Sequence, residues 1–337
     1  MTAPSIADRF LGCLLGQAVG DAFAAPYEGL PADILYHEFG PADELLRRPP
    51  ASTLHYTDDT EMMIGVAETL VACGRIDESV LVSTFAANYH PDRGYGQGAR
   101  RILGALCDGE DWERIADTVF PGGSLGNGAA MRVAPVGLLF CGDLDRVAAE
   151  AERSARPTHR HPVGVDGARV LALAVALAVR SDRPLDRDAF YRELLARAAT
   201  DEFRWPLSCA AEMTADHSVG VLGGGLEAHR SVVTAIACFT TCPDSYIDAV
   251  ARAIGVGDDV DTLAAMTGAL SGAYHGTAAV PPHLIAALED GPKGRRYIAQ
   301  LAGRLAALHR GGEWDSTAPT AAAIAPPPTA EPPSQTP

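Results

Sequence analysis

The chain has 337 residues, of which 47% are hydrophobic and 21% are charged, and its mean hydropathy is near zero. This composition is typical of a globular protein with enough apolar mass for a core, and it excludes a mostly disordered chain, a collagen-like fibre and a polytopic membrane protein. The 27 Lys and Arg residues against 43 Asp and Glu give a net charge of −16, which argues against a nucleic-acid backbone as partner because that backbone is held by clustered cations.

Helical periodicity dominates the sequence. Apolar residues recur at the spacing of one helix face, and segments that alternate apolar and polar residues, as strands do, are nearly absent. Proline and glycine mark the joints between the apolar segments. These patterns predict helices over residues 8–25, 58–73, 77–90, 97–107, 143–155, 164–181, 186–199, 230–240, 245–255, 261–275 and 295–309. No linker separates two halves, so we expect an all-α chain with one domain over residues 1–314.

Two apolar runs resemble targeting or membrane segments. Residues 10–20 are apolar and precede small residues, as in a signal peptide. However, Asp8 offsets Arg9 ahead of this run, and Asp21 follows it closely. The run 170–179 lies between two arginines and is too short to cross a bilayer. We therefore expect no cleaved leader and no membrane partner.

The cysteines point to a reducing compartment. There are seven of them, an odd number, and no two are spaced as CxxC. A disulfide framework is therefore not expected in a chain of this length, and a zinc site has no support from the spacing. We expect reduced, mostly buried thiols in a cytoplasmic protein.

The C-terminal segment differs in composition from the rest of the chain. Residues 315–337 are rich in Pro, Ala and Thr and contain no aromatic residue. Such a segment cannot bury enough apolar surface to offset the entropy lost on ordering. We therefore predict a disordered tail over residues 315–337.

A first acidic turn lies directly before an apolar helix. Residues 56–61 read YTDDTE, and Thr57 or Asp58 is the expected N-cap. One interpretation is that carboxylates favour the positive end of the helix dipole. The other is a metal site, because two hydroxyls around two carboxylates pack hard oxygen ligands into one turn, which suits Mg²⁺ or Mn²⁺ better than zinc. The turn alone leaves both interpretations open.

A second acidic turn of the same kind opens another helix. Residues 257–262 read GDDVDT, and Asp259 or Asp261 is the expected N-cap. Capping alone would again explain the turn. The duplication adds weight to a metal site, because two such turns that face each other across a cleft can hold two cations about 4 Å apart. Together the turns favour an oxygen-ligated dinuclear site as much as they favour capping.

A glycine-rich segment, GGSLGNGAAMR, occupies residues 122–132. Its bare backbone can approach a phosphate, with the N–H groups of a helix predicted to begin near Ala129 turned toward it. It lacks both the Walker pattern and the dinucleotide fingerprint, so a structural turn is the simpler interpretation. Arg132 is expected to be a structural salt-bridge partner rather than a phosphate ligand.

Two further segments carry polar groups without a decisive pattern. His159 and His161 alternate as in a loop, and no zinc motif surrounds them, so each is expected to be a surface or hydrogen-bonded loop residue. Glu28 follows Tyr27 just past the first helix. A lone Glu is usually solvated, and the alternative is a general acid or base with a shifted pKa.

In this order along the chain, these segments resemble the ADP-ribosylglycohydrolase family, which includes the dinitrogenase-reductase-activating glycohydrolases and the mammalian ADP-ribosyl-acceptor hydrolases. The matching motifs are GCLLGQAVGDAFAAPYEG (12–29), YTDDTEM (56–62), PDRGYGQG (91–98), GGSLGNGAAMRVAP (122–135), SARPTHRHP (154–162) and GVGDDVDTLAAMTGALSGAYHG (255–276). The resemblance spans residues 12–276. Its most specific element is the TDDT turn combined with the distant GD-x-DT turn.

The resemblance implies a single compact orthogonal helical domain, all-α, with a central cleft that holds a dinuclear site of two Mg²⁺ ions, or Mn²⁺ in their place. The implied metal ligands are Thr57, Asp58, Asp59, Asp259, Asp261 and Thr262. The implied catalytic residues are Glu28, Asp58, Asp59 and Asp261, with Glu28 either polarising a water or protonating the leaving group. The implied substrate-binding residues are Gly94, Tyr95, Gly96, Ser124, Gly126, Asn127, Gly128 and His159.

The implied reaction is hydrolysis of the glycosidic bond between C1″ of ADP-ribose and an acceptor. Such a reaction develops oxocarbenium character on the ribose, and two cations can grip its vicinal hydroxyls and orient a water. The implied partner is an ADP-ribose-bearing protein or small molecule, and the protein is expected to be a monomer. This sequence departs from the family's motifs at two positions. Asp258 occupies a position that is usually glycine, and Leu125 occupies one where some members have an aromatic residue. Neither departure removes a ligand, so activity is expected.

The acceptor is less clearly indicated than the reaction. The segments DRGYGQG and SLGNGAAMR, with Tyr27 and Glu28, look most like the subgroup that cleaves O-linked ADP-ribose, on serine or as O-acetyl-ADP-ribose. The TDDTEM turn also looks like the arginine-specific subgroup. A non-catalytic ADP-ribose-binding relative is a third alternative, which loss of a metal-turn residue or of the glutamate would indicate. A metal-dependent phosphohydrolase would normally have histidines among its ligands, and the two turns have none.

Overall fold

The computed structural model describes residues 4–310. Over these residues the chain forms seventeen α-helices, and its β-structure is limited to three isolated bridges. The helices are α1 (Ile6–Ala24), α2 (Ala32–Phe39), α3 (Ala42–Arg47), α4 (Asp58–Cys73), α5 (Glu78–Asn88), α6 (Gln97–Cys107), α7 (Trp112–Val119), α8 (Ala134–Leu139), α9 (Leu144–Ala155), α10 (Pro162–Arg180), α11 (Arg187–Arg197), α12 (Asp201–Ala211), α13 (Ala228–Thr241), α14 (Tyr246–Ile254), α15 (Val260–His275), α16 (Pro282–Ala287) and α17 (Arg295–Arg310). The predicted all-α fold is confirmed. The predicted tail, 315–337, lies outside the described residues, and the domain limits 1–314 stay a prediction.

All eleven helices predicted from the sequence are present, and their ends lie within two residues of the predicted ones. The six helices that were not predicted are α2, α3, α7, α8, α12 and α16. Five of them have six to eight residues, too few to complete the repeats that make an amphipathic pattern visible, whereas α12 has eleven. In addition, α2 and α3 each begin after a proline, and α12 contains Pro206 in its interior. Proline has no backbone N–H to donate and disfavours a helix interior, so it weakens the helical pattern around it.

Helices α1 and α15 pack against each other through glycine rather than through large side chains. Gly12, Gly16 and Gly20 recur at every fourth residue of α1 and lie against the backbone of α15. A Cβ atom on Gly16 would lie 2.5 Å from the carbonyl oxygen of Gly268, and one on Gly268 would overlap the carbonyl oxygen of Gly16. Gly20 faces Ala264, so the two helices run in opposite directions. The C-terminal end of α1 therefore meets the N-terminal end of α15.

Helix α10 lies in the core and is the one described helix that is long and apolar enough to cross a membrane by length and composition. Of its most apolar stretch, 78% is buried inside the fold. It packs against α8, α9, α13 and α15. Its apolar surface is therefore used in the core. The whole helix has 19 residues, so the argument from length that residues 170–179 suggested does not hold for it.

Fewer cysteines are buried than the sequence analysis expected. All seven are free thiols. Cys13, Cys141 and Cys238 are buried, three others are partly buried, and Cys107 is exposed. Burial raises the pKa of Cys141 to about 11, so that thiol stays protonated.

Candidate functional site

The first acidic turn lies at the N-terminus of α4. Thr57 caps this helix, because its hydroxyl accepts a hydrogen bond from the backbone N–H of Asp59 at 3.3 Å. Of the two predicted caps, Thr57 is therefore the one used. Asp59 is buried, whereas Asp58 is partly exposed and lies beside Gly94, where an added Cβ would be 3.7 Å from its Oδ1 atom.

A carboxylate that the sequence analysis did not assign to the site holds this turn in place. Asp21, near the C-terminal end of α1, is fully buried. It accepts hydrogen bonds from the backbone N–H and hydroxyl of Thr57 at 3.0 and 2.8 Å, and from the same two groups of Thr60 at 3.0 and 2.5 Å. Burial raises the pKa of Asp21 to about 6, against the opposing effect of these bonds. The position of the TDDT turn is thus set by α1.

Replacing Asp21 by asparagine is expected to destabilise the fold by about 2–4 kcal/mol. An amide accepts at only one of its two terminal atoms, so buried donors of Thr57 and Thr60 lose their partner. Chemical denaturation measures the free energy of unfolding. Asp8→Asn is the matched control, because Asp8 lies at the other end of α1 and accepts from the Thr277 hydroxyl at 2.7 Å. Equal losses in the two variants would contradict the special role of Asp21.

The second acidic turn lies at the N-terminus of α15. Asp259 occupies the N-cap position, but its side chain makes no capping hydrogen bond. Its Oδ2 atom instead accepts from the side-chain amide of Asn127 at 2.5 Å, and its backbone N–H donates to the carbonyl of Gly224 at 3.2 Å. Asp258 is exposed, with a left-handed φ of 63°. Aspartate tolerates that conformation better than most residues, which explains how it stands where glycine is usual.

The two turns meet Glu28 in one place. Carboxylate oxygens of Glu28, Asp259 and Asp261 lie within 4.8 Å of one another. The hydroxyl of Thr262 donates to Oδ2 of Asp59 at 3.3 Å, which joins the second turn to the first. Glu28 is exposed, whereas Asp259 and Asp261 are buried. The antiparallel contact of α1 with α15 makes this meeting possible, because α1 ends and α15 begins at the site.

The site brings many carboxyl groups close together, which shifts their pKa values. Burial, with the neighbouring carboxylates, raises the pKa of Asp58 to about 8 and the pKa of Asp261 to about 9. Burial is also the main cause that raises the pKa of Asp59, Asp259 and Glu28 above their ordinary values. Such a group of carboxylates is most stable with cations between them.

The residues present fit an oxygen-ligated divalent metal. Oδ1 of Asp59 is buried and has no hydrogen-bond partner in the described part of the chain. Buried polar atoms without partners are rare, and a cation is the partner that a carboxylate oxygen would take in such acidic surroundings. The two turns supply carboxylates and hydroxyls, which are the ligands of Mg²⁺ and Mn²⁺ rather than of zinc. The six predicted ligands brought together are Thr57, Asp58, Asp59, Asp259, Asp261 and Thr262.

The glycine-rich segment does not open an α-helix. The predicted helix start near Ala129 is wrong, because Asn127–Ala129 form a single 3₁₀ turn and α8 begins only beyond it. The segment is held instead by a different stretch of chain, since the backbone N–H of Asn127 donates to the carbonyl of Leu226 at 2.9 Å. The side-chain amide of Asn127 donates a hydrogen bond to Asp259. The glycine-rich loop is therefore joined directly to the second acidic turn.

His159 and Arg132 lie beside this loop, and both are buried. The Nδ1 atom of His159 is 2.7 Å from the Thr158 hydroxyl, and burial and Arg132 lower the pKa of the ring to about 3, so it is neutral. A Cβ on Gly128 would lie 3.1 Å from the His159 ring. Arg132 forms no salt bridge within residues 4–310, contrary to the prediction. Its guanidinium donates to the Ser154 carbonyl and the Thr158 hydroxyl, each at 2.8 Å.

Residues 94–96, predicted to bind substrate, lie beside the first turn. The carbonyl of Arg93 accepts a hydrogen bond from the backbone N–H of Asp58 at 2.7 Å, which brings this segment to the site. The ring of Tyr95 lies in the core, only 3% exposed, and its hydroxyl donates to Glu61 at 2.6 Å. The whole residue is therefore buried, and its backbone carbonyl accepts a hydrogen bond from Arg100 at 2.6 Å.

The remaining predicted binding residues, Ser124, Gly126 and Gly128, share the glycine-rich loop. The Ser124 hydroxyl accepts from the backbone N–H of Gly126 at 3.2 Å. Asp21 is the functional residue that sequence reasoning missed. A single carboxylate near the end of an otherwise apolar helix was the signal that could have found it.

Comparisons with known proteins agree on one family. A sequence model described as ADP-ribosylglycohydrolase matches residues 2–315. ADP-ribosylhydrolase ARH3 of Homo sapiens is 35% identical over 323 residues, covering 81% of this chain and 87% of the relative. The protein YegU of Escherichia coli is 28% identical, covering 84% and 92%. A solved structure described as an ADP-ribosylglycohydrolase-related protein complex has a TM-score of 0.70 and 26% identity, covering 90% of this chain and 99% of its own.

Proposed function

Since the chain belongs to the ADP-ribosylglycohydrolase family, we propose that it removes ADP-ribose from acceptors to which the ribose is joined through oxygen. The bond hydrolysed is the glycosidic bond at C1″. ADP-ribosylated serine and O-acetyl-ADP-ribose are the proposed substrates. The observation that carries the proposal is the meeting of Glu28 with two acidic turns beside a glycine-rich loop. The oxygen link is supported by the resemblance of residues 92–98 and 124–132 to the O-linked subgroup.

We propose that the site binds two Mg²⁺ ions and that Mn²⁺ can replace them. The ligands would be the six oxygen-bearing residues of the two turns, and the unpartnered Oδ1 atom of Asp59 supports this assignment. When bound, the ions would supply Lewis-acid chemistry, by orienting the ribose hydroxyls and by lowering the pKa of a water molecule that attacks C1″.

Glu28 is the proposed proton-transfer group. It is exposed, whereas Asp59, Asp259 and Asp261 are buried. Hydrolysis forms a bond between a water oxygen and C1″ and breaks the bond between C1″ and the acceptor oxygen. One proton must leave the water and one must reach the acceptor. The carboxylate of Glu28 can take the first, and its acid form can supply the second.

The glycine-rich loop is the proposed site for the pyrophosphate. Its backbone approaches a ligand without side chains in the way, and Gly126 and Gly128 lie against the neutral ring of His159. Backbone N–H groups bind phosphate oxygens without added cations. This mode of binding agrees with a chain whose net charge is −16.

Two matched peptides test the proposal, one carrying ADP-ribose on serine and the other on arginine. Release of free ADP-ribose is measured by chromatography with Mg²⁺ and with EDTA. We expect release from the serine peptide at least about tenfold faster than from the arginine peptide, because the bond and the leaving group differ. Addition of EDTA is expected to abolish release.

Each other outcome is informative. Release from the arginine peptide alone would keep the reaction and overturn the acceptor. Release that persists in EDTA would overturn the metal assignment. Absence of release from both peptides, with ADP-ribose still bound in a calorimetric titration, would indicate a non-catalytic relative. Absence of both release and binding would reject the proposed function.

A further inference from the structure

Helix α2 carries an apolar surface that nothing in the described chain covers. Ile34, Tyr36 and Phe39 are 42%, 64% and 44% exposed, and they are three of the seven large hydrophobic side chains exposed within residues 4–310. Leu35 is the only buried residue of this helix. At 3.6 residues per turn, Tyr36 and Phe39 lie about 60° apart on one side of the helix, whereas Ile34 points to roughly the opposite side. The α2 surface is therefore the side formed by Tyr36 and Phe39, and exposed aromatic side chains of this kind are typical of a binding surface.

This α2 surface adjoins Glu28. The short connection from α1 to α2 contains Glu28, and the backbone N–H of Gly29 donates to the carbonyl of Asp258 at 2.7 Å. Tyr27, the residue before Glu28, packs edge-on against Phe39 with ring centroids 5.0 Å apart. The surface is thus attached to the segment that we propose to handle the acceptor oxygen, not to the glycine-rich loop proposed for the pyrophosphate.

A cavity of about 100 Å³ opens between α2, α3 and the end of α14. Its lining includes Tyr27, Leu35, Tyr36, Phe39 and Ile254. The cavity is lined mostly by apolar side chains, so it suits an apolar side chain of a partner rather than a polar group.

The charge around the surface is negative. Asp33 and Glu38, both on α2, are exposed, and neither forms an ion pair with another described residue. Arg47 at the end of α3 and Arg48 directly after it are each already paired with a carboxylate, at 3.0 and 2.7 Å. An apolar centre with unpaired acids beside it complements a segment that is apolar and positively charged. A second copy of this acidic surface, or a nucleic acid, would bring like charges together.

We infer that the α2 surface binds the polypeptide that carries the modified residue, and that it favours acceptors with lysine or arginine near the ADP-ribosylated position. The inference rests on the proposed function and adds to it a class of acceptor. The ADP-ribose moiety is held by the cleft, whereas the surrounding peptide is held by α2. A small acceptor such as an acetyl group does not reach this surface.

Kinetics with three substrates test the inference. The substrates are a serine-ADP-ribosylated peptide with basic flanking residues, the same peptide with acidic flanking residues, and O-acetyl-ADP-ribose. In Tyr36→Ser, and separately in the double variant Asp33→Asn with Glu38→Gln, KM for the basic peptide is expected to rise about five- to twentyfold relative to KM for O-acetyl-ADP-ribose. The value of kcat should not change. The double variant should also reduce the preference for the basic over the acidic peptide.

Trp205→Ser is the matched control, because Trp205 is 73% exposed on α12, away from α2. It should change none of these ratios. Equal effects of Tyr36→Ser on all three substrates would overturn the inference, because α2 would then act through Glu28. Unchanged KM for the basic peptide would also overturn it, and so would a shift of oligomeric mass in Tyr36→Ser, which would make the surface a contact between copies.

Binding of an unmodified basic peptide, followed by fluorescence anisotropy, separates this inference from the proposed function. Peptide binding that weakens in Tyr36→Ser would support the docking surface even if no substrate were hydrolysed. Hydrolysis of all three substrates by the wild type without any measurable peptide binding or KM effect would reject the docking surface alone.

Discussion

Replacement of Asp261 by alanine is expected to lower kcat by about 10²–10³-fold and to leave the protein folded. A bound divalent ion contributes several kcal/mol to transition-state stabilisation, and Asp261 belongs to the carboxylate group that would hold it. Burial and neighbouring carboxylates raise the pKa of Asp261 to about 9, so removing it relieves repulsion in the metal-free state. The metal-free variant should therefore be at least as stable as the metal-free wild type. Steady-state hydrolysis with Mg²⁺ and denaturant unfolding in EDTA measure the two effects.

Asp258→Asn is the matched control for this variant. Asp258 lies next to the same turn, is exposed, and has a left-handed backbone that asparagine also tolerates. Hydrolysis of O-acetyl-ADP-ribose should stay within about twofold of the wild type. A comparable loss in both variants would contradict the central role of Asp261, and a large loss of stability for Asp261→Ala in EDTA would indicate a structural role instead.

Replacement of Gly268 by alanine is expected to destabilise the fold by about 3 kcal/mol or more, one of the largest effects that a single methyl group can have. The added Cβ would overlap the backbone carbonyl of Gly16, and a backbone atom cannot move aside as a side chain does. The helices α1 and α15 would have to separate, which would also move Asp21 and the second acidic turn apart. Chemical denaturation measures the loss of stability.

Gly303→Ala supplies the control for the glycine prediction. Gly303 is exposed in α17, and a Cβ there would meet nothing within 4 Å. Alanine has the higher helix propensity, so this variant should gain about 1 kcal/mol. If both alanine variants changed stability in the same direction, contact between the two helix backbones would not be the cause.

Sequence patterns predicted the long helices well because each spans several turns with a recurring apolar face between proline and glycine joints. Five of the six missed helices have only six to eight residues and show too few repeats of such a face. In α12, Pro206 interrupts the pattern, yet the helix is held by tertiary packing of Phe203 and Leu207 in the core. Local propensity cannot anticipate such packing.

The candidate site was also predicted only in part. Its two acidic turns could be found from the sequence, because each combines carboxylates and hydroxyls at a helix start. The hydrogen-bond partners of Asp21 and Asn127 could not be predicted from the sequence, since they lie far away in the chain, Thr57 and Thr60 for the first and Asp259 for the second. The helix expected at Ala129 was wrong because pairing with Leu226, and not local helix propensity, decides the shape of that loop.

The backbone contact between α1 and α15 also bears on the order in which the protein assembles. During synthesis α1 leaves the ribosome first, and α15 follows only after most of the described chain. Until then the glycine face of α1 lacks its matching surface, and the first acidic turn lacks its second half. Closing so long a loop costs entropy and slows folding. The candidate site is therefore one of the last features to form, and a nascent chain that stops short of α15 lacks half of the proposed metal ligands however much helix it contains.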